Sequence, residues 1–307
     1  MYRYRPIDER RRDWDEVERP LPAEDIAPHA RACMACGLPF CHGMGCPLAN
    51  VIPETNAALA AGDEALAYAL LSRTDLFPEF TSRVCPALCE GSCTRGMEGG
   101  DPVAIRALER HISDIAWAKG WVRPVLPARR TGKRVAVVGS GPAGLAVAEG
   151  LNRAGVEVTV YERDEAPGGL LRFGIPDFKL SKDIVARRVA LMEAEGIRFV
   201  TDTEVGRDVS PDWLAARHDA VVWAVGAGVP RDLAIPGRDL AGIAFALDFL
   251  RGQNRVHSGA LPAAPLSAEG KRVLVIGGGD TGSDCVGTAI RQGARAVTQI
   301  EILPRPP

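Results

Sequence analysis

The chain lacks the features that would send it to a membrane, out of the cell or onto nucleic acid. No apolar run approaches the roughly 18–20 residues that a membrane-spanning helix needs. Its first residues, MYRYRPIDERRRDWDEVERP, hold no apolar stretch of signal length. The expectation is a cytoplasmic protein in a reducing environment. Lysine and arginine number 37 against 39 acidic residues, a net charge of −2. That balance carries no electrostatic footprint for nucleic acid. No acid–base pair or nucleophile stands out, so no catalytic side chain is expected and bound cofactors would do the chemistry. At 46% hydrophobic and 25% charged residues, the composition is that of an ordinary globular protein of about two domains.

What the chain does have is cysteine in one place. Seven of its 8 cysteines lie between Cys33 and Cys93. The first group reads Cys33-x2-Cys36-x4-Cys41-x4-Cys46-Pro47, and the second Cys85-x3-Cys89-x3-Cys93. Thiolates this closely spaced suit iron–sulfur clusters. An odd number without a signal peptide argues against a disulfide framework. Structural zinc is the rival reading, but its usual Cys-x2-Cys knuckle occurs only at Cys33 and Cys36. Two four-iron clusters need eight ligands, so seven cysteines leave one position to fill.

Residues 1–30 read as a charged, solvated arm. Residues 31–128 carry both cysteine groups and two helical patterns, Asn56–Arg73 with a break at Gly62 and Pro102–Lys119. The pattern then changes to alternating strand and helix over 129–250, and again over 251–307. Arg134–Val138 reads as a buried strand followed by Gly139-Ser140-Gly141-Pro142-Ala143-Gly144, and Val156–Glu162 as the next strand. KRVAVVGSGPAG at Lys133 returns as KRVLVIGGGDTG at Lys271, an offset of 138 residues. Two such units are a far more specific signal than one.

Each loop has a physical purpose. The first glycine makes the tight turn, the second lets a pyrophosphate approach the backbone, and the third lets the helix pack on the strand. The phosphates then meet the positive end of the helix. An acid at the end of the second strand takes ribose hydroxyls. Glu162 stands there in the first unit and Glu301 in the second. The second loop, Gly277-Gly278-Gly279-Asp280-Thr281-Gly282, is the better candidate for a nicotinamide cofactor, because Pro167-Gly168-Gly169-Leu170 follows only the first. Paired glycines let backbone run against a flat ring, an arrangement that resembles the FAD site of disulfide-reductase-like flavoproteins.

The motifs CMACGLPFCHGMGCPLANVIPE, FPEFTSRVCPALCEGSC, VAVVGSGPAGLAVAEGL, PGGLLRFGIPDFKL and VLVIGGGDTGSDC together resemble the glutamate synthase small (beta) subunit from about Arg31 onward. The electron-entry module of dihydropyrimidine dehydrogenase is similar but more distant. The resemblance implies an α/β protein with an N-terminal all-α iron–sulfur domain, a Rossmann-like FAD unit and the start of a second, truncated Rossmann-like NAD(P) unit. It implies electrons from NAD(P)H reaching FAD, then two 4Fe–4S clusters, then a large (alpha) subunit that makes glutamate from glutamine and 2-oxoglutarate. It assigns Cys33, Cys36, Cys41 and Cys93 to one cluster, and Cys46, Cys85 and Cys89 to the other. It assigns Gly139, Gly141, Pro142, Ala143, Gly144, Glu162, Gly169, Leu170 and Lys179, within the loop that holds Ser140, to FAD. Gly277 to Gly282 would hold the nicotinamide dinucleotide. NADPH-using relatives carry arginines where Ile302 and Leu303 stand, so NADH is the expected donor, with Arg305 close by as the counter-argument.

The same resemblance implies an eighth cluster ligand at Glu109, sixteen residues beyond Cys93, with a surface glutamate paired to Arg106 or Arg110 as the alternative. His111 is the competing ligand and should face away. His42 reads as a hydrogen-bonding surface residue and Cys285 as a buried helix residue. Two other functions stay open: a different NAD(P)H oxidoreductase entry subunit, ferredoxin-linked or pyrimidine-reducing, and a non-catalytic scaffold that binds clusters and nucleotide. The chain stops after the second strand of its second unit, which reads as a fragment of a longer protein.

Overall fold

Two compact units make up the computed structural model, which describes residues 3–97 and 99–304. One unit holds the residues up to Arg5 together with Val17–Pro124, and the other holds Pro6–Glu16 with everything from Val125 onward. The first thirty residues are therefore not a free arm. Both units use them.

The first unit is helical. Strands β1 (Arg3–Tyr4) and β2 (Glu18–Arg19) pair antiparallel at its edge. Helix α1 (Ala23–Arg31) begins after Pro22, with Glu24 and Asp25 in its first turn, where negative charge complements the helix dipole. The apolar stretch around residues 56–73 divides at Gly62 into α2 (Ile52–Ala60) and α3 (Glu64–Leu71). Asp63 caps the second, its carboxylate accepting from the Leu66 N–H at 2.9 Å. Helices α4 (Pro78–Val84) and α5 (Ile105–Ala118) follow, with one-turn helices at Leu88–Gly91 and Thr94–Met97 between them. Ile26, Leu59, Leu71, Leu108 and Ile112 form its core, and Cys33, Cys41, Cys46 and Cys93 pack against it. The cysteine loops thus lie on a preformed apolar support.

The second unit alternates strand and helix. Strand β3 (Arg134–Val138), helix α6 (Pro142–Arg153) and strand β4 (Glu157–Tyr161) form the first glycine-loop unit. A one-turn helix α7 (Leu170–Phe173), α8 (Lys182–Ala194), β5 (Arg198–Val200), α9 (Pro211–Arg217) and β6 (Ala220–Trp223) follow. The sheet order is β5-β4-β3-β6 and every pairing is parallel. The order reverses at β3, and crevices open at the carboxyl ends of strands at such a point. Helix α10 (Ala246–His257) leads to β7 (Arg272–Ile276), α11 (Asp280–Arg291) and β8 (Ala296–Ile300). Among the described residues, β7 and β8 form a separate two-stranded parallel sheet. Leu250 of α10 is buried with Val275 and Cys285, so this helix packs on the second glycine-loop unit across the expected boundary at residue 250.

Residues 6–16 are held by side chains of the same unit. Arg291 donates to the carbonyls of Asp13, at 2.7 Å, and Arg10, at 2.5 Å. The Trp14 ring meets the His257 ring edge-on with centroids 4.3 Å apart.

Candidate cluster and nucleotide sites

Four thiols line one cavity of the first unit: Cys33, Cys36, Cys41 and Cys93, with Ile52, Val103 and Ile105 as apolar walls. Cys41 opens a single π-helical turn, Cys41–Gly45, a form common at functional sites. Burial pushes its thiol up to about 11, and the neighbouring Cys33, Cys93 and Cys36 push the same way. Free thiols in that position resist ionisation, whereas bound metal supplies the opposite field and keeps them as thiolates. Cys36 also meets the Thr94 hydroxyl at 3.3 Å.

The remaining three cysteines gather elsewhere. The Cys89 thiol is raised mainly by burial, and Glu109, Glu90, Cys46 and Cys85 add to it. Burial likewise raises Cys85, with Glu109 and Cys46 contributing. Glu109 therefore acts electrostatically on Cys85 and Cys89. It is 9% exposed, which the surface-glutamate alternative does not allow. Burial first, then nearby Asp75 and Glu90, push its carboxyl up to about 7 against a hydrogen bond from Asn50. Asn50 Nδ2 donates to Glu109 Oε1 at 3.0 Å, and the Asn50 side-chain carbonyl accepts from the Thr74 hydroxyl at 2.7 Å. Arg106 instead bonds Glu18 at 2.6 Å, and His111 bonds Glu64 at 3.1 Å. Among the described residues, no three such side chains close on one point as around a single ion. A four-iron cluster takes each ligand on its own iron, so its ligands need not meet.

Neither Asn50 nor a set of three alanines was visible in the cysteine spacing. Ala35, Ala49 and Ala87 have φ of 49, 52 and 57°, the left-handed region that alanine rarely enters. Each stands in a cysteine loop, one beside Cys36, one after Cys46-Pro47 and one between Cys85 and Cys89. Such strain collects where surrounding structure holds a functional geometry.

In the second unit, a cleft of about 1010 Å³ opens at the end of β3. Gly139, Gly141, Pro142, Ala143, Glu162, Gly169 and Leu170 line it, together with Trp223–Gly228. Gly139 turns at φ +100°, where an added Cβ would stand 2.4 Å from the Ala224 carbonyl. At Gly141 an added Cβ would meet nothing within 4 Å, so that position opens toward the cleft. Gly144 faces inward instead: a Cβ there would stand 1.9 Å from the Gly139 carbonyl. Its place is helix packing rather than ligand contact.

Glu162 is 5% exposed and braces the loop. It accepts from the Ser140 N–H at 2.8 Å and its hydroxyl at 2.5 Å, and from the Asp164 N–H at 2.8 Å. The Ser140 oxygen also accepts from Gly168 N–H at 3.0 Å. Ser140 is buried beneath the loop and ties its acid to the paired glycines. Arg251 and Arg255 of α10 line the cleft as well, each bonded to Asp164 at 3.2 and 3.1 Å. Their spacing of one helical turn was in the sequence. Their partner became visible only once α10 was placed.

Lys179, expected at FAD, lies beside α11 instead of in the lining of the cleft. Its ammonium is 2.6 Å from Asp284 and 3.5 Å from Asp280, both on α11, and the residue does not line the cleft.

The second glycine loop repeats the first in backbone. Gly277 turns at φ +119°, an added Cβ on Gly279 would meet nothing within 4 Å, and a Cβ on Gly282 would stand 2.2 Å from the Gly277 carbonyl. Glu301 accepts from the Gly278 N–H, as Glu162 does from Ser140, and also from Ile302 N–H at 2.6 Å. A further bond from the Leu303 N–H at 3.2 Å, then those from Ile302 and Gly278, hold its carboxyl below the usual range. Asp280 and Thr281 open α11. Arg305 lies outside the described residues. Cys285 is 5% exposed.

No helix of the described residues is long and apolar enough to cross a membrane. Residues 10–121 match the family model described as dihydropyrimidine dehydrogenase domain II, 4Fe-4S cluster, and residues 133–307 match pyridine nucleotide-disulphide oxidoreductase. The N-terminal unit is therefore an iron–sulfur domain, and the zinc reading falls away. The chain is 50% identical over 308 residues to a Mycobacterium tuberculosis glutamate synthase [NADPH] small chain, covering 99% of this chain and 63% of that one. It is 50% identical over 297 residues to Saccharomyces cerevisiae glutamate synthase [NADH], covering 96% of this chain and 14% of that one. Among solved structures, a His57Gln mutant of FprA from M. tuberculosis is similar at 30% identity and TM-score 0.46, over 54% of this chain and 43% of that one. The chain spans less than two thirds of the curated relatives' length.

Proposed function

The chain belongs to the pyridine nucleotide-disulphide oxidoreductase family and is half identical to glutamate synthase small chains, and from that premise we propose that it is the electron-input part of a glutamate synthase. Electrons would enter from NAD(P)H, pass by way of FAD and two 4Fe–4S clusters, and leave to a large subunit that makes L-glutamate from L-glutamine and 2-oxoglutarate, in the cytoplasm. The flavin, when bound, supplies the step from a two-electron donor to one-electron acceptors. The observation that supports the reading is the four thiols of Cys33, Cys36, Cys41 and Cys93 around one cavity.

The residues present fit these groups. The cleft at β3 offers open backbone at Gly141, where a pyrophosphate needs approach, and a helix N-terminus behind it. The chain's task there is to orient the ring system along Gly169 and Leu170 and to hold the ribose near Glu162. Gly279 offers the same opening for the nicotinamide nucleotide. The test is an absorption spectrum of anaerobically purified protein with iron and flavin counts, followed by addition of NADH. Bleaching of a stoichiometric flavin band, with iron near eight per chain, is expected for two four-iron clusters. A flavin-free, zinc-bearing protein would end the proposal.

Two finer assignments belong to it. Glu109 is the eighth cluster ligand. Glu109→Ala should alter one cluster and spare the other, while unchanged iron content and unchanged EPR signals would reduce Glu109 to a buried acid. NADH is the preferred donor, because Glu301 would repel a 2′-phosphate and Ile302 and Leu303 offer it no cation. A higher kcat/KM for NADPH than for NADH would reverse that assignment.

A further inference from the structure

The two glycine loops differ in charge where a phosphate should sit. In the first, the helix opens with Pro142 and carries Ala146 one turn on. At the matching positions of the second stand Asp280 and Asp284. Asp280 is the first residue of α11, with its side chain 88% exposed, and Asp284 is 6% exposed. A pyrophosphate approaching that helix end meets carboxylates of its own sign, which oppose the attraction of the free N–H groups.

Lys179 answers both. Its ammonium lies 2.6 Å from Asp284 and 3.5 Å from Asp280. The segment that carries it is fixed on the same face of α11. A Cβ on Gly287 would stand 2.6 Å from the Phe178 ring, and the Arg291 guanidinium lies 3.9 Å from the centre of that ring. Positions 280, 284, 287 and 291 recur at helical spacing, so one stripe of α11 docks on Phe178 and Lys179. Lys182 is the other cation nearby; it donates to the carbonyls of Ile175 at 2.5 Å and Leu180 at 2.9 Å. Lys179 therefore is the cation placed on the aspartates.

We propose that Lys179 is a positioning residue for the nicotinamide nucleotide: its ammonium offsets Asp280 and Asp284, so that the start of α11 accepts a pyrophosphate it would otherwise repel. This rests on reading the second glycine loop as the nicotinamide site. The same lysine holds α11 against the segment that follows α7, outside the lining of the flavin cleft.

The experiment measures dissociation constants for NADH and NADPH by calorimetry on the flavin- and cluster-loaded chain, with flavin content and thermal midpoint recorded for each variant. Lys179→Met should weaken nucleotide binding about tenfold, the scale of one well-placed charge at a helix end, with flavin content unchanged. Lys179→Arg should bind nearly as the parent does. Adding Asp280→Asn to Lys179→Met should recover part of the loss, because of the two carboxylates left uncompensated it removes the exposed one at the helix end. Binding by Lys179→Met equal to the parent's would overturn the proposal. So would a loss that Asp280→Asn leaves in place, which would make Lys179 a structural tether only. A parent chain that binds FAD but neither nucleotide would overturn the reading of the second loop itself, and the proposal with it.

Discussion

The two glycine-loop units share a backbone and differ in almost everything around it. Gly141 and Gly279 have the same extended geometry, φ −64 and ψ 178° against φ −71 and ψ −178°. Both first glycines turn at positive φ, and both third glycines press against the first glycine's carbonyl. Yet Glu162 is buried and bonded to Ser140, whereas the side chain of Glu301 reaches the same backbone position from an exposed strand end. Local sequence sets the turn. Among the described residues, four parallel strands flank the first loop and two flank the second.

The largest break in this comparison comes from the third glycines. Gly144→Val would drive a side chain into the Gly139 carbonyl within a buried strand–helix junction, and overpacking of that kind costs about 3 kcal/mol or more. Gly282→Val meets the Gly277 carbonyl in the same way, but in a more exposed unit that can yield. Thermal unfolding and limited proteolysis should show the first variant losing the flavin-binding fold, and the second loosening only the segment after residue 270. Equal damage from both would mean that the units are not energetically separate.

A smaller and cleaner contrast uses the second glycines, where a valine meets no protein atom within 4 Å of its Cβ. Gly141→Val should fold normally and lose stoichiometric FAD. Gly279→Val should keep FAD and lose nicotinamide nucleotide. Retention of full FAD by a folded Gly141→Val chain would remove FAD from the first loop.

The smallest expected effect is a pH dependence centred on Glu195 in the first glycine-loop unit. Glu149 of α6 is fully buried and meets Glu195, whose carboxyl burial and then Glu149 push up from the ordinary 4.5 to about 7, against a hydrogen bond from Val125 N–H. Between those values the folded chain binds more protons than the unfolded one. The stability contributed is complete below about pH 4.5 and is lost as pH rises through about 7. Glu195→Gln should flatten that slope in denaturant titrations. The position on α11 that matches Glu149 is Gly287, packed on Phe178, so the second glycine-loop unit has no counterpart of this carboxyl pair. An unchanged slope in Glu195→Gln would place the titration elsewhere.

Much of this was legible in the chain. The strand at Arg134–Val138, the 138-residue repeat and the helix over Ile105–Ala118 follow from short-range patterns, since glycine conformations and hydrophobic periodicity act within a few residues. Cysteine spacing alone left open which group Cys46 and Cys93 join, and the family resemblance supplied an answer that spacing could not. The burial of Glu109 was not legible, because it depends on Asn50 and Thr74 from distant segments.

By itself, then, the sequence determined the local forms: two phosphate-ready turns, the helices, and a run of thiols suited to clusters. Tertiary structure alone decided which charges meet. Lys179 was expected at the flavin and stands on α11; residues 6–16 were expected in solvent and are tied down by Arg291. A side chain on a flexible stem goes to the strongest opposite charge or open carbonyl within reach, and that partner is chosen by packing across a hundred residues or more.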